Sequence, residues 1–256
     1  SGPRKIGRWI DHTNWLAPEN QRLTLPAANT FMPSLRMLPQ GSSEPLSQRP
    51  ERIDLENPTL VDPLDGTERT LAFLLDSRLG ADGVLVMQNG NILAERYRNG
   101  LRAENPRLLM QATRPLLNLL GAISIAQSKL SADKAVSRYL PTLGKQAGLR
   151  KISVRRLLEN EENHTWNDAD LNAWRMSGGW TGEPTVGGVR TWLAQPGRWE
   201  KPLTEQNGPA SAATPDDDLL AWLLAESNGK TVSRLFCEHL QSRQVPEHPV
   251  FWLTDS

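Results

Sequence analysis

This 256-residue sequence has one cysteine, a formal net charge of zero and no long apolar run. The one cysteine, Cys237, excludes an internal disulfide framework and a zinc site built from several thiolates. The 29 Lys and Arg residues balance the 29 Asp and Glu residues, so no general positive field draws the chain to nucleic acid or acidic lipid. The longest apolar stretch, residues 116–126, is too short and too often interrupted to cross a membrane. We therefore expect no nucleic-acid partner and no membrane span.

Histidine is also rare, and no metal or cofactor is predicted. The four histidines are scattered, without zinc spacing in Glu161–His164 or Cys237–His239, and we expect them on the solvated surface. Gly229–Thr231 is similar to the end of a phosphate-binding loop, but Leu224 stands where such a loop needs a glycine, so a helix end is the better interpretation. The acids Asp216–Asp218 are explained by the first turn of a helix, where negative charge is favoured.

The remaining composition is that of a folded protein. Apolar residues make up 38% of the chain and a further 19 residues are glycine, which approaches the normal share for a globular core. Prolines recur throughout residues 1–70, where each removes a backbone donor and disfavours helix at the residue before it. We therefore expect an extended amino-terminal arm over residues 1–70, lying on a domain formed by residues 71–256.

Local patterns predict both strands and helices. The runs Val84–Gln88 and Asn91–Tyr97 flank Asn89–Gly90, the strongest short signal for a hairpin. Thr214 followed by Pro215 and three acids is typical of a helix start. Further helices are predicted over residues 116–129, 154–159 and 232–240.

An aromatic segment lies between these helices, over residues 160–210. It holds more than half of the nine tryptophans, namely Trp166, Trp174, Trp180, Trp192 and Trp199. Glycine and polar residues surround them, so the segment is predicted to be a loop-rich lid or insertion. The tryptophans either form a binding platform or pack the loop, since large aromatic side chains bury much area and can do both.

Several segments match one family in their order along the chain. They are Asn14–Asn20, the hairpin at 83–100, Leu109–Arg114, Val136–Pro141, Ile152–Leu158, Pro196–Glu200 and Asp218–Trp222. Their order over residues 14–256 resembles the serine β-lactamase and penicillin-binding-protein superfamily, specifically its class C-like esterases and 6-aminohexanoate-dimer hydrolases. The resemblance implies an α+β fold, with a β-lactamase/transpeptidase-like sheet, flanking helices and a helical, loop-rich half, and it favours a bacterial cell-envelope setting.

The resemblance implies where the family's catalytic residues would lie in this chain, and none of these positions holds the family's residue. The family's Ser-x-x-Lys falls on Gln111 and Arg114, and its Tyr-x-Asn falls on Ala212 and Thr214. An amide is not a useful nucleophile, and a guanidinium stays protonated and cannot act as a general base. Thr113 is the nearest hydroxyl, but no base is in view for it. The resemblance therefore implies a pseudoenzyme without cofactors.

Such a chain would act by binding at the former cleft. The candidate ligand-binding residues are Gln111, Thr113, Arg114, Trp166, Trp180 and Trp199. A small anionic or peptide-like ligand would suit them, because Arg114 offers a cation at a helix start. The alternative is that Gln111 and Arg114 merely plug the old pocket, and the sequence does not decide between the two.

Two further functions stay open. The chain could be a hydrolase of esters, amides or peptidoglycan-like substrates with an unrecognised nucleophile, or a structural subunit completed by a partner chain. In the family, later strands carrying Lys-Thr-Gly or His-x-Gly would follow residue 256, so the domain is expected to be incomplete at its carboxyl end. Because a lone hairpin is marginally stable, its edges should be covered by residues 1–70, by 251–254 or by a second chain.

Overall fold

The computed structural model describes residues 9–49, 53–159, 162–201, 203–205, 213–243 and 246–255. Contacts between Cα atoms group the chain into a larger unit, Ser1–Gly41 with Arg107–Ser256, and a smaller unit, Ser42–Pro106. Residues 1–70, which the prolines suggest to be one arm, are therefore divided between the two units. Their described part is also not simply extended, since it contains a helix and four short strands.

Helices and short strands are interspersed along the chain. The helices are α1 Pro18–Thr24, α2 Leu71–Phe73, α3 Thr113–Ala126, α4 Ala147–Lys151, α5 Val154–Glu159, α6 Asp168–Ser177, α7 Gly188–Leu193, α8 Pro215–Asn228 and α9 Val232–Phe236. The strands are β1 Ser34–Met37, β2 Ser47–Gln48, β3 Thr59–Val61, β4 Glu68–Thr70, β5 Gly83–Gln88, β6 Asn91–Tyr97, β7 Glu162–His164, β8 Leu203–Glu205 and β9 Val250–Leu253. Among the described residues, no helix combines the length and apolarity needed to cross a bilayer.

The predicted hairpin is confirmed in the smaller unit. Strands β5 and β6 pair antiparallel, with a register shift between Val86 and Met87. Asn89 and Gly90 both have positive φ, at 50° and 75°, which is the conformation that a two-residue hairpin turn of this twist requires. The turn residues therefore fix both the position and the register of this hairpin.

The expectation for the hairpin edges is confirmed only in part. Strand β2 lies parallel to the outer edge of β6, pairing Ser47 with Asn91 and Gln48 with Ile92, so residues 1–70 do cover this edge. Strand β9 instead pairs antiparallel with β1. Strand β5 has no second neighbour among the described strands, and its Leu85 is 54% exposed. Within this single chain, no described strand covers the outer edge of β5, and its coverage by a second chain stays a prediction.

The core of the larger unit lies between α3, α5 and α8. Its fully buried side chains are mostly leucines and valines from these helices and from the turns between them, including Leu120, Val136, Leu140, Leu149, Val154, Leu219, Leu220, Leu223 and Leu224. Helix α8 begins at Pro215 and ends at Asn228, just before Gly229, whose φ of 64° suits glycine, as the sequence predicts. Helix α3 ends three residues earlier than predicted, before Ser128 with its φ of 57°.

The aromatic segment is not loop-rich throughout. Residues 168–177 and 188–193 form helices α6 and α7. Asn167 caps α6, because its side chain accepts a hydrogen bond from the Asp170 N–H at 2.8 Å. Trp192 and Trp199 are buried in the main core, at 5% and 0% exposure. The prediction of a loop-rich lid is therefore wrong for the part of the segment that these helices occupy.

Candidate functional site

Gln111 and Arg114 lie where a tight turn runs into α3. Residues Met110–Ala112 form one 3₁₀ turn, and α3 begins at Thr113. Met110 has a φ of 50°, an unfavourable conformation for a residue with a side chain. The chain is thus bent sharply just before Gln111, so that Gln111 lies in the turn and Arg114 in the first turn of α3.

The guanidinium of Arg114 donates a hydrogen bond from each of its three nitrogens to another part of the protein. Nε donates to Asn118 Oδ1 at 3.1 Å, and Nη1 donates to Asp217 Oδ1 at 2.5 Å. Nη2 donates to the carbonyl oxygen of Leu157 at the end of α5. The side chain is 13% exposed. Arg114 therefore crosslinks three helices, and each of its three guanidinium nitrogens already donates a hydrogen bond within the protein.

Asp217 is held from two sides in the first turn of α8. Besides Arg114, the backbone N–H of Thr214 donates to its Oδ2 at 2.9 Å. Thr214, which the resemblance places at the family's asparagine, is the N-cap residue of α8. Ala212, placed at the family's tyrosine, lies outside the described residues.

The adjacent Asp216 contacts a buried histidine, His164, whose burial the sequence does not predict. His164 Nδ1 lies 2.7 Å from Asp216 Oδ1, and both side chains are 1% exposed. Trp166 Nε1 donates to the other oxygen, Oδ2, at 2.6 Å. His164 Nε2 is buried and has no hydrogen-bond partner in the described part of the chain. The expectation that His164 is solvated is wrong, because its partner carboxylate lies far along the sequence.

The tryptophans predicted to line the cleft fall into two separate groups. Trp166 packs edge-on against Trp199, with ring centres 5.4 Å apart, and Trp192 lies beside Trp166. Trp180 instead stacks on Trp15, at 5.6 Å, and its carbonyl accepts the Trp15 indole N–H at 2.7 Å. Trp199 has no exposed surface. The structure therefore does not bring Trp166, Trp180 and Trp199 together as one wall.

Two cations beside these rings are also occupied. Arg198 lies 3.8 Å above the Trp192 ring and Lys201 lies 5.4 Å from the Trp166 ring. Both contact the carboxylate of Asp170. Burial lowers the pKa of Arg198. These cations stabilise the aromatic cluster rather than face an open site.

Gln111 and Thr113 are the predicted residues that stay available. Both are half-buried. Neither side chain has a hydrogen-bond partner among the residues that the structure describes, and Met110 beside them is 42% exposed. An open groove of about 610 Å³ occurs elsewhere, lined by Leu35–Met37, Gln40, Arg234, Cys237 and Glu238 among others. Within the described ranges, no group of three or more His, Cys, Asp or Glu residues could hold a metal ion.

Comparison with known proteins identifies a solved structure with a similar fold. No family model matches the chain, and no curated protein matches it either. Among solved structures, it is similar to the "Putative 6-aminohexanoate-dimer hydrolase from Bacillus anthracis", with a TM-score of 0.69 and 17% identity. The match covers 96% of this chain and 65% of that one. The chain therefore has the α+β fold of β-lactamase-like hydrolases, as predicted, and spans 65% of the length of that neighbour.

Proposed function

We propose that this chain is a non-catalytic protein of the β-lactamase-like fold, which acts by binding at the start of α3. The proposal uses the assignment of Gln111 and Arg114 to the nucleophile and base positions, which rests on the sequence resemblance. The observation that carries it is the bonding of Arg114, whose three guanidinium nitrogens are all engaged by Asn118, Asp217 and Leu157. A permanently charged guanidinium cannot take a proton from a nucleophile.

The same contacts narrow the class of ligand. A carboxylate or phosphate would have to compete with Asp217 for Arg114. Gln111 carries both a donor and an acceptor, and it has no side-chain partner among the described residues. An amide group pairs well with another amide. The site therefore suits an uncharged, peptide-like ligand better than an anionic one.

The absence of catalysis is tested by covalent labelling. The full chain is incubated with a fluorophosphonate and, separately, with a penicillin-type β-lactam, and its intact mass is then measured. We expect no adduct, because both reagents need an activated hydroxyl. The Gln111→Ser variant should also stay unlabelled, since Arg114 cannot accept its proton. Gln111→Ala is the matched control without a hydroxyl. A stoichiometric adduct on the unmodified chain would contradict the proposal.

Binding is tested separately by NMR. The side-chain amide signal of Gln111 is identified by its loss in Gln111→Ala and is followed during titration with a capped, neutral alanine dipeptide or with acetate. We expect the dipeptide to shift the signal and acetate to leave it unchanged. A shift with acetate alone would mean that an anion is bound instead.

A hydrolase with a different nucleophile is the second candidate. The pair of His164 and Asp216 favours it, because a carboxylate on Nδ1 leaves Nε2 free to act as a base. Against it, the His164 side chain is 1% exposed, so Nε2 is buried away from solvent and substrate. The labelling experiment decides between the two, since an active hydroxyl near His164 would carry the adduct.

A further inference from the structure

The open groove of the larger unit runs beside strand β1. Its volume of about 610 Å³ is within the range of ligand sites in proteins. One wall is Leu35–Met37, and the other is formed around α9 and the turn after it, including Thr231, Arg234 and Cys237. The groove is therefore a different place from the start of α3, whose residues do not line it.

The lining residues show on which side of β1 the groove lies. Side chains alternate between the two faces of a strand, so a groove on one face would be lined by every second residue. Here three consecutive residues, Leu35–Met37, line it. Strand β9, which pairs with β1, contributes none of the described lining residues. The groove therefore runs along the edge of β1 that faces away from β9.

This edge of β1 presents backbone groups that no strand binds. The Thr254 N–H donates to the Pro33 carbonyl oxygen at 2.9 Å, so every second residue from Pro33 onward faces β9. Ser34, Arg36 and Leu38 therefore face the groove side. β1 has no second neighbour among the described strands, and within the described ranges the backbone N–H and carbonyl of Arg36 have no partner.

One of these outward groups is already bound by a side-chain amide. Gln241 Nε2 donates to the Leu38 carbonyl oxygen at 3.1 Å and lies 3.4 Å from that of Met37. Gln241 is only 2% exposed. Its amide thus takes the place of a neighbouring strand at the end of β1, whereas Arg36, two residues earlier, borders the open groove.

The charges around the groove favour an acidic occupant. Among the described lining residues, Arg36 and Arg234 outnumber the single acid, Glu238. Glu238 is already matched, because Lys230 and Arg234 both donate to it, at 2.7 and 2.8 Å. Arg36 is exposed and has no ion-pair partner in the described part of the chain. A carboxylate in the groove would therefore be attracted rather than repelled.

We propose that this groove binds an extended peptide segment, which pairs with β1 through the backbone of Arg36 and carries an acidic side chain. Such an added strand is held by main-chain hydrogen bonds, and the walls beside the edge select its side chains. The pairing would satisfy both backbone groups of Arg36. This site is independent of binding at the start of α3.

Hydrogen exchange measured by NMR on the full chain tests the pairing, with the capped peptide acetyl-Val-Asp-Val-amide as the probe. We expect the peptide to protect the Arg36 amide. It should also slow the reaction of Cys237, the only cysteine, with a neutral thiol reagent, because Cys237 lines the groove. The same peptide methylated on every backbone nitrogen should bind about tenfold more weakly, since it cannot donate to β1. Acetyl-Val-Lys-Val-amide should also bind about tenfold more weakly, because its charge has the wrong sign.

Two variants separate the groove from other sites. Arg234→Gln removes one cation and should reduce the preference for the acidic peptide to less than about threefold. Gln111→Ala changes the start of α3 and should bind the acidic peptide as the unmodified chain does. An Arg36 amide that stays unprotected when the peptide is bound would overturn the proposal, as would equal binding of the methylated peptide. Loss of binding in Gln111→Ala would also overturn it, because the peptide would then lie at the start of α3.

Discussion

Arg114 and Asp217 form an ion pair that joins the start of α3 to the first turn of α8, with Nη1 2.5 Å from Oδ1. The two side chains are only 13% and 25% exposed, so solvent screens the pair weakly. Because Arg114 also reaches the Leu157 carbonyl, it acts as a structural crosslink between helices.

Removing this crosslink should destabilise the larger unit. In Arg114→Met, the carboxylate of Asp217 and the Leu157 carbonyl lose their donors while the apolar stem is retained. We expect the free energy of unfolding to fall by about 2–4 kcal/mol, measured by urea denaturation.

Arg155→Met is the control for this substitution. Arg155 pairs with Asp133, but their side chains are 53% and 80% exposed. The free energy of unfolding should change by less than about 0.5 kcal/mol in this variant, because exposed ion pairs contribute little. A similar loss in both variants would contradict the structural role of Arg114.

Asp216 should be at least as important for stability. Asp216→Ala removes the acceptor of two buried donors, on His164 and Trp166, and we expect a loss of about 3–5 kcal/mol in the free energy of unfolding. Asp133→Ala, at an exposed carboxylate, is the matched control and should be nearly neutral. If both variants unfold at the same urea concentration, the His164 side chain is not buried as described.

The sequence predicts best those features whose signals are local. Asn89–Gly90 defines its hairpin because the turn conformation depends on these residues themselves. Thr214 and Pro215 mark the start of α8, and Gly229 marks its end, for the same reason. Asn167 and Asp170, which cap α6, carry the same kind of signal within the segment taken as loop-rich.

The site could not be read from the sequence in this way. His164 is polar and lies among polar residues, so its pattern favours the surface, and only the tertiary fold brings it to Asp216. Arg114 likewise offers a free cation until Asp217 and the Leu157 carbonyl are placed around it. Whether a charged group is free or bonded depends on residues that are distant in the sequence, and no local pattern reports it.

The burial of Trp199 can be tested through a glycine. A Cβ atom at Gly148 on α4 would overlap the Trp199 carbonyl group, whose carbon would lie at 2.7 Å. Gly148→Ala should therefore lower the free energy of unfolding by about 1–3 kcal/mol, measured by urea denaturation. Gly121→Ala is the matched control on α3, because its Cβ would meet only the flexible end of Leu158 and should cost less. An equal or smaller loss for Gly148→Ala would place Trp199 elsewhere.

The smaller unit should lose stability at low pH. The side chain of Asp62 is fully buried, accepts the Leu64 N–H at 3.0 Å and pairs with Arg78 at 2.5 Å. These bonds lower the pKa of Asp62, and a hydrogen bond from Arg69 helps to lower that of Asp65 to about 2. A lowered carboxyl pKa contributes stability that is present above the ordinary value of 3.8 and is lost as the pH falls through the folded-state pKa.

We therefore expect the smaller unit to loosen between pH 4 and pH 2, which is observable as loss of protection at the Leu64 amide by NMR. In Asp62→Asn, the Leu64 amide should already be less protected at pH 4, because the ion pair with Arg78 is gone. Its protection should also change less on further acidification. Glu104→Gln is the control, because Glu104 lies 3.9 Å from Arg102 and both side chains are more than half exposed. Unchanged protection of Leu64 in the unmodified chain down to pH 2 would show that these ion pairs do not stabilise the fold.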